Sequence, residues 1–428
     1  MGRGYLTWLS QVPRPLENAR RKAVSRMMRG DFSLEFRLSC RIRASLILAA
    51  ALAATVATAL GACTAETHDG PVKPQPAPAT ESGAPASGPV GSNPDAASLY
   101  TKYCALCHAA DATGYAADNA PSLVSETFLA TASDTFLHEG ISRGRPGTAM
   151  AGYAKFTGGP LEPGEISALI AYLRALKPTP RLDLPKRLDT GDVRRGQAVY
   201  HRDCASCHGT QAQRGNAVHL ANPVFLQDAD APFLHYAIVH GRPGTPMVAF
   251  GSTLTGQAID DVVAYLKSLS LTGTLQPPMS PNTTPVVVPA WTPLPTNPKG
   301  TSAKFTLRAD RFAPMPQVKS AFDGNKRLIL LDARAPSDFV SLHIEGAVSL
   351  PYYDLKLIDK LEPFKRDGTW IIAYCGCPHH ASGVVVDELR KRGFKNSAVL
   401  DEGLFAWQRA GYPTVGQPGM KGIAAPPP

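Results

Sequence analysis

Two short runs in this chain have the residue types and spacing for chemistry on a bound iron. Cys104-Ala-Leu-Cys107-His108 recurs 100 residues later as Cys204-Ala-Ser-Cys207-His208. Cys-x-x-Cys-His is the attachment sequence of c-type haem: two thiols add to the porphyrin vinyl groups and the neighbouring imidazole reaches the iron, so all three must share one turn. Two competing chemistries are weaker. Zinc held by paired Cys-x-x-Cys motifs needs the second pair roughly 15–20 residues after the first, and here 97 positions separate Cys107 from Cys204. A redox dithiol explains neither the histidine nor a second duplicated feature, Gly144-Arg-Pro-Gly-Thr-Ala-Met150 against Gly241-Arg-Pro-Gly-Thr-Pro-Met247. Pro and Gly there give a tight loop that aims one side chain. His138 and His235, each after Phe-Leu and 12 residues before the Met, form a rival ligand pair.

A third reactive run is Cys375-Gly-Cys377-Pro-His379-His380. Thiolates beside imidazoles suit three chemistries: nucleophilic sulfur, a pH-dependent charge on His379 and His380, or a soft metal such as copper or zinc. Cys377 lies two positions from Cys375, where a disulfide would close a small and strained Cys-x-Cys ring.

These residues need scaffolds, and the sequence supplies two kinds. Around the first two motifs, Ile166, Leu169, Ile170 and Leu173 repeat the helical stripe of Ile259, Val262, Val263 and Leu266. The central block is therefore two copies of one helical domain, at 96–178 and 190–271. Around Cys375 the pattern becomes apolar runs, Arg327–Asp332, Trp370–Tyr374 and Ala398–Leu400, alternating with helical stretches at Ser337–Leu342, Ser382–Arg392 and Leu404–Ala410. That alternation predicts a parallel sheet with helices on both faces over 303–416. The fold class expected is multidomain: two all-α domains followed by one α/β domain with a parallel sheet. Pro-rich stretches separate the blocks, a tether at 63–95 and a linker at 272–302, and the tail 417–428 has no pattern of its own.

The central block resembles the small class I cytochrome c family over nearly all its length. The resemblance implies two covalently attached haem c groups on Cys104, Cys107, Cys204 and Cys207, with His108 and His208 as proximal ligands and Met150 and Met247 as distal ones. An intact sixth ligand implies electron transfer rather than chemistry at iron, and Met/His ligation raises the potential relative to stronger donors. Arg145 and Arg242 are candidate partners of the haem propionates. Tyr172 and Tyr265 are expected near the haem edge.

The C-terminal block resembles the rhodanese family through Leu331-Asp332-Ala333-Arg334 with Asp338-Phe339, His343-Ile344-Glu345-Gly346-Ala347, Leu350-Pro351, Tyr374-Cys375, and Gly403 with Ala406-Trp407. By that resemblance Cys375 is the catalytic thiolate that accepts a sulfane sulfur as a persulfide and passes it on, a sulfurtransferase of thiosulfate or polysulfide type. A loop from a strand end to a helix N-terminus suits this, since its N–H groups face an anion. The loop departs from the family pattern by one extra residue and by the lack of a fixed cation, which puts thiosulfate specificity in doubt. Cys377, His379 and His380 are candidate accessory residues; Asp332, Arg334 and His343 are scaffold. A non-catalytic binding module, or a metal- or redox-sensing loop, is the alternative.

Charge and length narrow the rest. The 428 residues allow several domains, and the formal charge is +9. Arg37–Arg43 precedes an apolar run, Ala44–Leu60, and then Leu60-Gly-Ala-Cys63, which together read as a secretory signal over 1–62. The ending resembles a bacterial lipobox, with Cys63 lipidated; a membrane-spanning anchor is the competing reading, marginal for 17 Ala-rich residues. Initiation at Met27 or Met28 gives a more ordinary signal. Losing ten Lys and Arg with three Asp and Glu in 1–62 brings the charge from +9 to +2, and haem propionates lower it further, so nucleic acid is excluded as a partner. The expected setting is a periplasm-facing lipoprotein of the bacterial envelope, in the outer membrane by the Thr64 that follows Cys63. The expected partners are redox proteins or a membrane oxidoreductase and a small sulfur-containing anion.

Overall fold

A computed structural model describes residues 94–186, 190–270, 295–376 and 379–416. The expected signal and tail, the tether up to residue 93 and the linker up to residue 294, and with them Cys63 and Cys377, lie outside the described residues; residues 295–302, expected as linker, instead join the C-terminal domain, where Thr296 N donates to Leu328 O and Ser302 bridges to Arg327.

The first repeat runs α1 (Pro94–Tyr103), α2 (Ala105–His108), α3 (Glu126–Thr131), α4 (Asp134–Arg143) and α5 (Pro163–Leu176); the second runs α6 (Val193–Asp203), α7 (Ala205–His208), α8 (Pro223–Asp228), α9 (Ala231–His240) and α10 (Gly256–Ser270). In each repeat the first helix crosses the last. The crossing is closest at Gly196, where a Cβ would come within 1.8 Å of the Asp261 carbonyl oxygen. Ala96, the equivalent position in the first repeat, is buried. Local capping is duplicated as well. Ser133 Oγ accepts from Phe136 N, and Asp230 Oδ1 from Phe233 N at 2.8 Å, starting α4 and α9 at matching positions; such caps contribute about 1 kcal/mol each. Gly144 (φ +65°) and Gly241 (φ +63°) end the same helices. A Cβ at Gly144 would lie 2.3 Å from the Ala151 backbone, so the chain turns there only without one.

The repeats pack through one continuous core. Arg145 lies over its own Phe136 and over Phe225 of the other repeat, while Arg242 lies over its own Phe233 and over Phe128 of the other. These four phenylalanines are sequence equivalents in pairs, so the interface has an approximate two-fold relation.

The C-terminal domain has a five-stranded, all-parallel sheet in the order β1-β6-β5-β2-β4: β1 (Phe312–Ala313), β2 (Leu328–Asp332), β4 (Val348–Ser349), β5 (Trp370–Tyr374) and β6 (Ser397–Leu400). Strand β5 is central, pairing Ile372 with Leu330 on one side and with Ala398 on the other. Its unbroken apolar run reflects burial on both faces. Alternate residues separate the two sides. Ile329, Leu331, Ile371 and Ala373 pack under α13 (His380–Lys391), against Val385, Val386 and Leu389; Leu330, Ile372 and Leu400 pack with Val318 of α11 (Met315–Asp323) and Leu404 and Trp407 of α14 (Gly403–Arg409). Helix α12 (Pro336–Ser341) leads into β3 (Leu342–Ile344), which pairs antiparallel with β7 (Thr414–Gly416). His343, expected as scaffold, sits in this short strand, with its Nδ1 against the Phe339 carbonyl and its ring stacked on Phe339.

Gly196→Val should force α6 away from α10 and destabilise the second repeat by about 3 kcal/mol, read as a lowered thermal midpoint of the haem-loaded chain; an unchanged midpoint would contradict the crossing.

Candidate functional site

The two attachment turns are built alike. Cys104 N donates to Tyr100 O at 2.8 Å and His108 N to Cys104 O at 3.0 Å; Cys204 N and His208 N repeat both bonds at 2.9 Å. Tyr100 and Tyr200, fully buried, anchor the turns by donating to the carbonyls of Ala109 (2.7 Å) and Gly209 (2.9 Å). Their rings pack against Tyr172 and Tyr265 at 5.5 and 5.3 Å between centroids, so the two tyrosines on the last helices brace the first helices.

Each histidine is oriented through one ring nitrogen. His108 Nδ1 lies 2.8 Å from Pro121 O and His208 Nδ1 2.7 Å from Val218 O. A carbonyl accepts, so Nδ1 carries the proton and Nε2 keeps its lone pair. Burial lowers the pKa of both imidazoles and favours the neutral form. The four cysteines are free. Burial pushes Cys104 and Cys107 up to about 12 and Cys204 up to about 11, which favours the protonated thiols. Among the described residues no three or more His, Cys, Asp or Glu side chains group as a metal site. Two free thiols and an oriented neutral imidazole on one turn fit a covalently held haem.

The methionine loops are clasped identically. Arg145 N donates to Met150 O (2.7 Å), Thr148 Oγ1 to Arg145 O (2.7 Å), and Met150 N to Thr148 Oγ1 (3.2 Å). Arg242, Thr245 and Met247 repeat the set at 2.9, 2.7 and 3.2 Å. The signal for this clasp lies in the threonine of the repeated Pro-Gly-Thr, beyond the Pro and Gly that mark the loop as tight. Another missed pair is Arg174 and Lys267. Arg174 donates to Leu129 O and Ala132 O, and Lys267 to Leu226 O and Ala229 O, at the ends of α3 and α8, where a cation meets the helix dipole.

The rival histidines are engaged outside these loops: His138 contacts Ser142 Oγ (3.4 Å) and Glu139 (3.6 Å), and His235 lies 3.5 Å from Asp260. The two loop arginines differ. Arg145 pairs with Asp228 at 2.9 Å, an ion pair between the repeats. Thr131 occupies the position equivalent to Asp228, so Arg242 has no such carboxylate. Its Nη1 is buried without a hydrogen-bond partner, and desolvation lowers its pKa to about 10.

In the C-terminal domain Cys375 directly follows β5, where the carboxyl ends of a parallel sheet place binding groups. Its thiol is 1% exposed, with Sγ 3.3 Å from Ser382 Oγ on α13. Leu404 N donates to the Cys375 carbonyl at 3.1 Å, and Gly403 (φ +71°) keeps that approach open, since a Cβ there would lie 2.9 Å from the same oxygen. A Cβ at Gly376 would meet Phe405 at 3.0 Å and Arg334 Cδ at 3.5 Å. His379, expected as a pH-dependent charge for the donor, takes φ +83° and turns its Nε2 to Asp401 (2.8 Å), with its ring tilted against Phe312 at 4.1 Å between centroids. His380 begins α13 and is exposed. The buried Arg334 is held by Asp332 through two bonds, at 2.9 and 2.6 Å, and donates to the Leu342 carbonyl, a scaffold role as expected.

With this geometry in place, comparison with known proteins gives the class of each part. Residues 95–177 match the cytochrome c family, 191–266 match the family described as cytochrome c oxidase, cbb3-type, subunit III, and 315–410 match the rhodanese-like domain. The chain carries cytochrome c domains, which imply covalently bound haem c, followed by a C-terminal rhodanese-like α/β domain. Among similar proteins, a Cbb3-type cytochrome c oxidase subunit CcoP of Azospirillum sp. (strain B510) is 30% identical over 190 residues, covering 40% of this chain and 60% of that protein. A subunit FixP of Bradyrhizobium sp. (strain ORS 278) is 31% identical over 176 residues, covering 39% and 57%. The chain thus spans about 60% of the length of the first of these relatives. The solved structure of a rhodanese-like domain from Anabaena sp. is 29% identical, covering 24% of this chain and 78% of that one, with a TM-score of 0.23.

Two outcomes are expected. Thr245→Val removes the hydroxyl that bridges Arg242 O and Met247 N. The variant should be destabilised by about 1 kcal/mol, read as a lowered thermal midpoint of the haem-loaded chain, and an unchanged midpoint would contradict the clasp. Asp338 is half-buried, its Oδ2 3.6 Å from Arg334 and without a hydrogen bond, and desolvation raises its carboxyl from 3.8 to about 6. The native state then binds this proton more tightly than the unfolded chain, so stability falls as pH rises from about 4 to 6. Asp338→Asn should flatten that slope in thermal melts, with the parent and variant converging below pH 4.

Proposed function

We propose that this chain is a periplasm-facing dihaem cytochrome c that carries electrons, and that its rhodanese-like domain binds or transfers sulfane sulfur on Cys375. One haem c is assigned to Cys104 and Cys107 with His108 and Met150 as axial ligands, the other to Cys204 and Cys207 with His208 and Met247. The observation that carries the reading is the exact repetition, in both halves, of the histidine-to-carbonyl bond and the threonine-clasped methionine loop. The haem supplies one-electron storage; the residues around it fix the imidazole tautomer, aim the thioether and exclude water. The domain bounds proposed are those of the sequence reading, 96–178, 190–271 and 303–416.

Cys375 attacks the outer sulfur of a donor anion, and the leaving group departs with the electron pair of the broken S–S bond. Ser382 supports this by facing the thiol at hydrogen-bond range. Export by the 1–62 signal and lipidation of Cys63 would hold the protein at the envelope. Among the described residues no helix is long and apolar enough to cross a membrane. The relatives named as cbb3-type oxidase subunits support a membrane oxidoreductase as electron partner. A non-catalytic module is the second reading, favoured by the diversion of His379 to Asp401, which takes one candidate cation away from the donor.

Sulfur transfer from thiosulfate or polysulfide to cyanide, measured on the full haem-loaded chain, separates the two. Cys375→Ser should lower turnover at least 100-fold and abolish a one-sulfur mass adduct while haem content and reduction by ascorbate stay unchanged. Parental protein with neither turnover nor adduct would leave the binding module.

A further inference from the structure

The rhodanese-like domain is docked on the part of the first repeat that surrounds its attachment turn and distal loop. Leu106, between the attachment cysteines, and Ala149, beside Met150, pack against the apolar cluster that contains Cys375 and Ala381. Tyr352 donates to the Tyr103 carbonyl at 2.8 Å, and Tyr353 meets the Tyr103 ring edge-on at 4.8 Å. Ser337 Oγ donates to the Gly152 carbonyl at 2.6 Å, burying its hydroxyl in the contact. Cys107 and Cys375 are near enough to interact electrostatically.

From this juxtaposition we propose that Cys375 is an electron-entry site: hydrosulfide is oxidised there to a cysteine persulfide, and the electrons cross the interface to ferric haem c. The inference rests on the proposed haem and Cys375 assignments and names the substrate of that site. The step balances as a two-electron oxidation. The Cys375 thiol and hydrosulfide lose both S–H bonds and form one S–S bond, giving the persulfide anion, two protons and two electrons. The thiol proton leaves by Ser382, 3.3 Å away, and both protons end in water. Two ferric haem c groups, one electron each, are the oxidant. A thiol 1% exposed suits a substrate of one heavy atom better than a bulky donor. The persulfide is then the sulfane sulfur that a thiophilic acceptor removes, which restores the thiol.

The test mixes the oxidised, haem-loaded full chain with sodium sulfide without oxygen, following the reduced α band and the mass of Cys375. Two haems reduced per one-sulfur adduct on Cys375 is the expected result. Cys375→Ser should lose the adduct and slow reduction at least tenfold. Leu106→Arg places a charge in the docked surface. At parental haem content it should slow sulfide-driven reduction at least tenfold, while loading of Cys375 by thiosulfate and reduction by ascorbate persist. Haem reduction without an adduct, or equal rates in either variant, overturns the proposal. Loading by thiosulfate with no haem reduction by sulfide overturns it and leaves sulfane transfer standing. No adduct from either donor overturns the Cys375 assignment itself.

Discussion

Two thiols and an imidazole within five residues impose a single helical turn, and much of each repeat is arranged to hold that turn still. The buried Tyr100 and Tyr200 hydroxyls close it from one side, and the Pro121 and Val218 carbonyls fix its histidine from the other. Neither carbonyl belongs to the motif; each is brought to the ring by the loop that follows it. The helix crossing at Gly196 and the tyrosine pairs then keep the turn at a constant distance from the distal loop. An electron carrier gains from such rigidity, because a site that moves little between oxidation states has little reorganisation to overcome.

Duplication has been followed by divergence at the join. Arg145 and Arg242 arise from the same loop position and both lie between phenylalanines of the two repeats, yet only Arg145 meets a carboxylate, Asp228. An unpaired guanidinium buried among aromatics costs about 1–3 kcal/mol relative to a paired one, partly offset by the ring faces. Its low-dielectric surroundings also make the two repeats electrostatically unlike.

The sequence made the covalent chemistry and the periodic elements legible, because both depend on residues close together in the chain. Cys-x-x-Cys-His, the repeated helical stripes and the Trp370–Tyr374 strand were all readable, and helix boundaries in the last domain moved by only one or two residues. What could not be read were contacts between distant backbone and side chains. The fate of His379 depends on Asp401, and that of Arg145 on Asp228, and neither partner is signalled by spacing. The docking of Tyr352 on Tyr103, 249 positions apart, is of the same kind.

That docking changes what the fusion means physically. Two domains joined by a Pro-rich linker have a high effective concentration but no fixed geometry. Here hydrogen bonds from Ser337 and Tyr352 and the packing of Leu106 and Ala149 fix one face of the rhodanese-like domain against the loops that frame the first attachment turn. A freely tethered sulfur carrier would have no reason to cover that surface, which a diffusing redox partner needs exposed. Covering it with the domain that bears Cys375 sets that cysteine beside the first attachment turn, with the second repeat joined to the first through the shared apolar core.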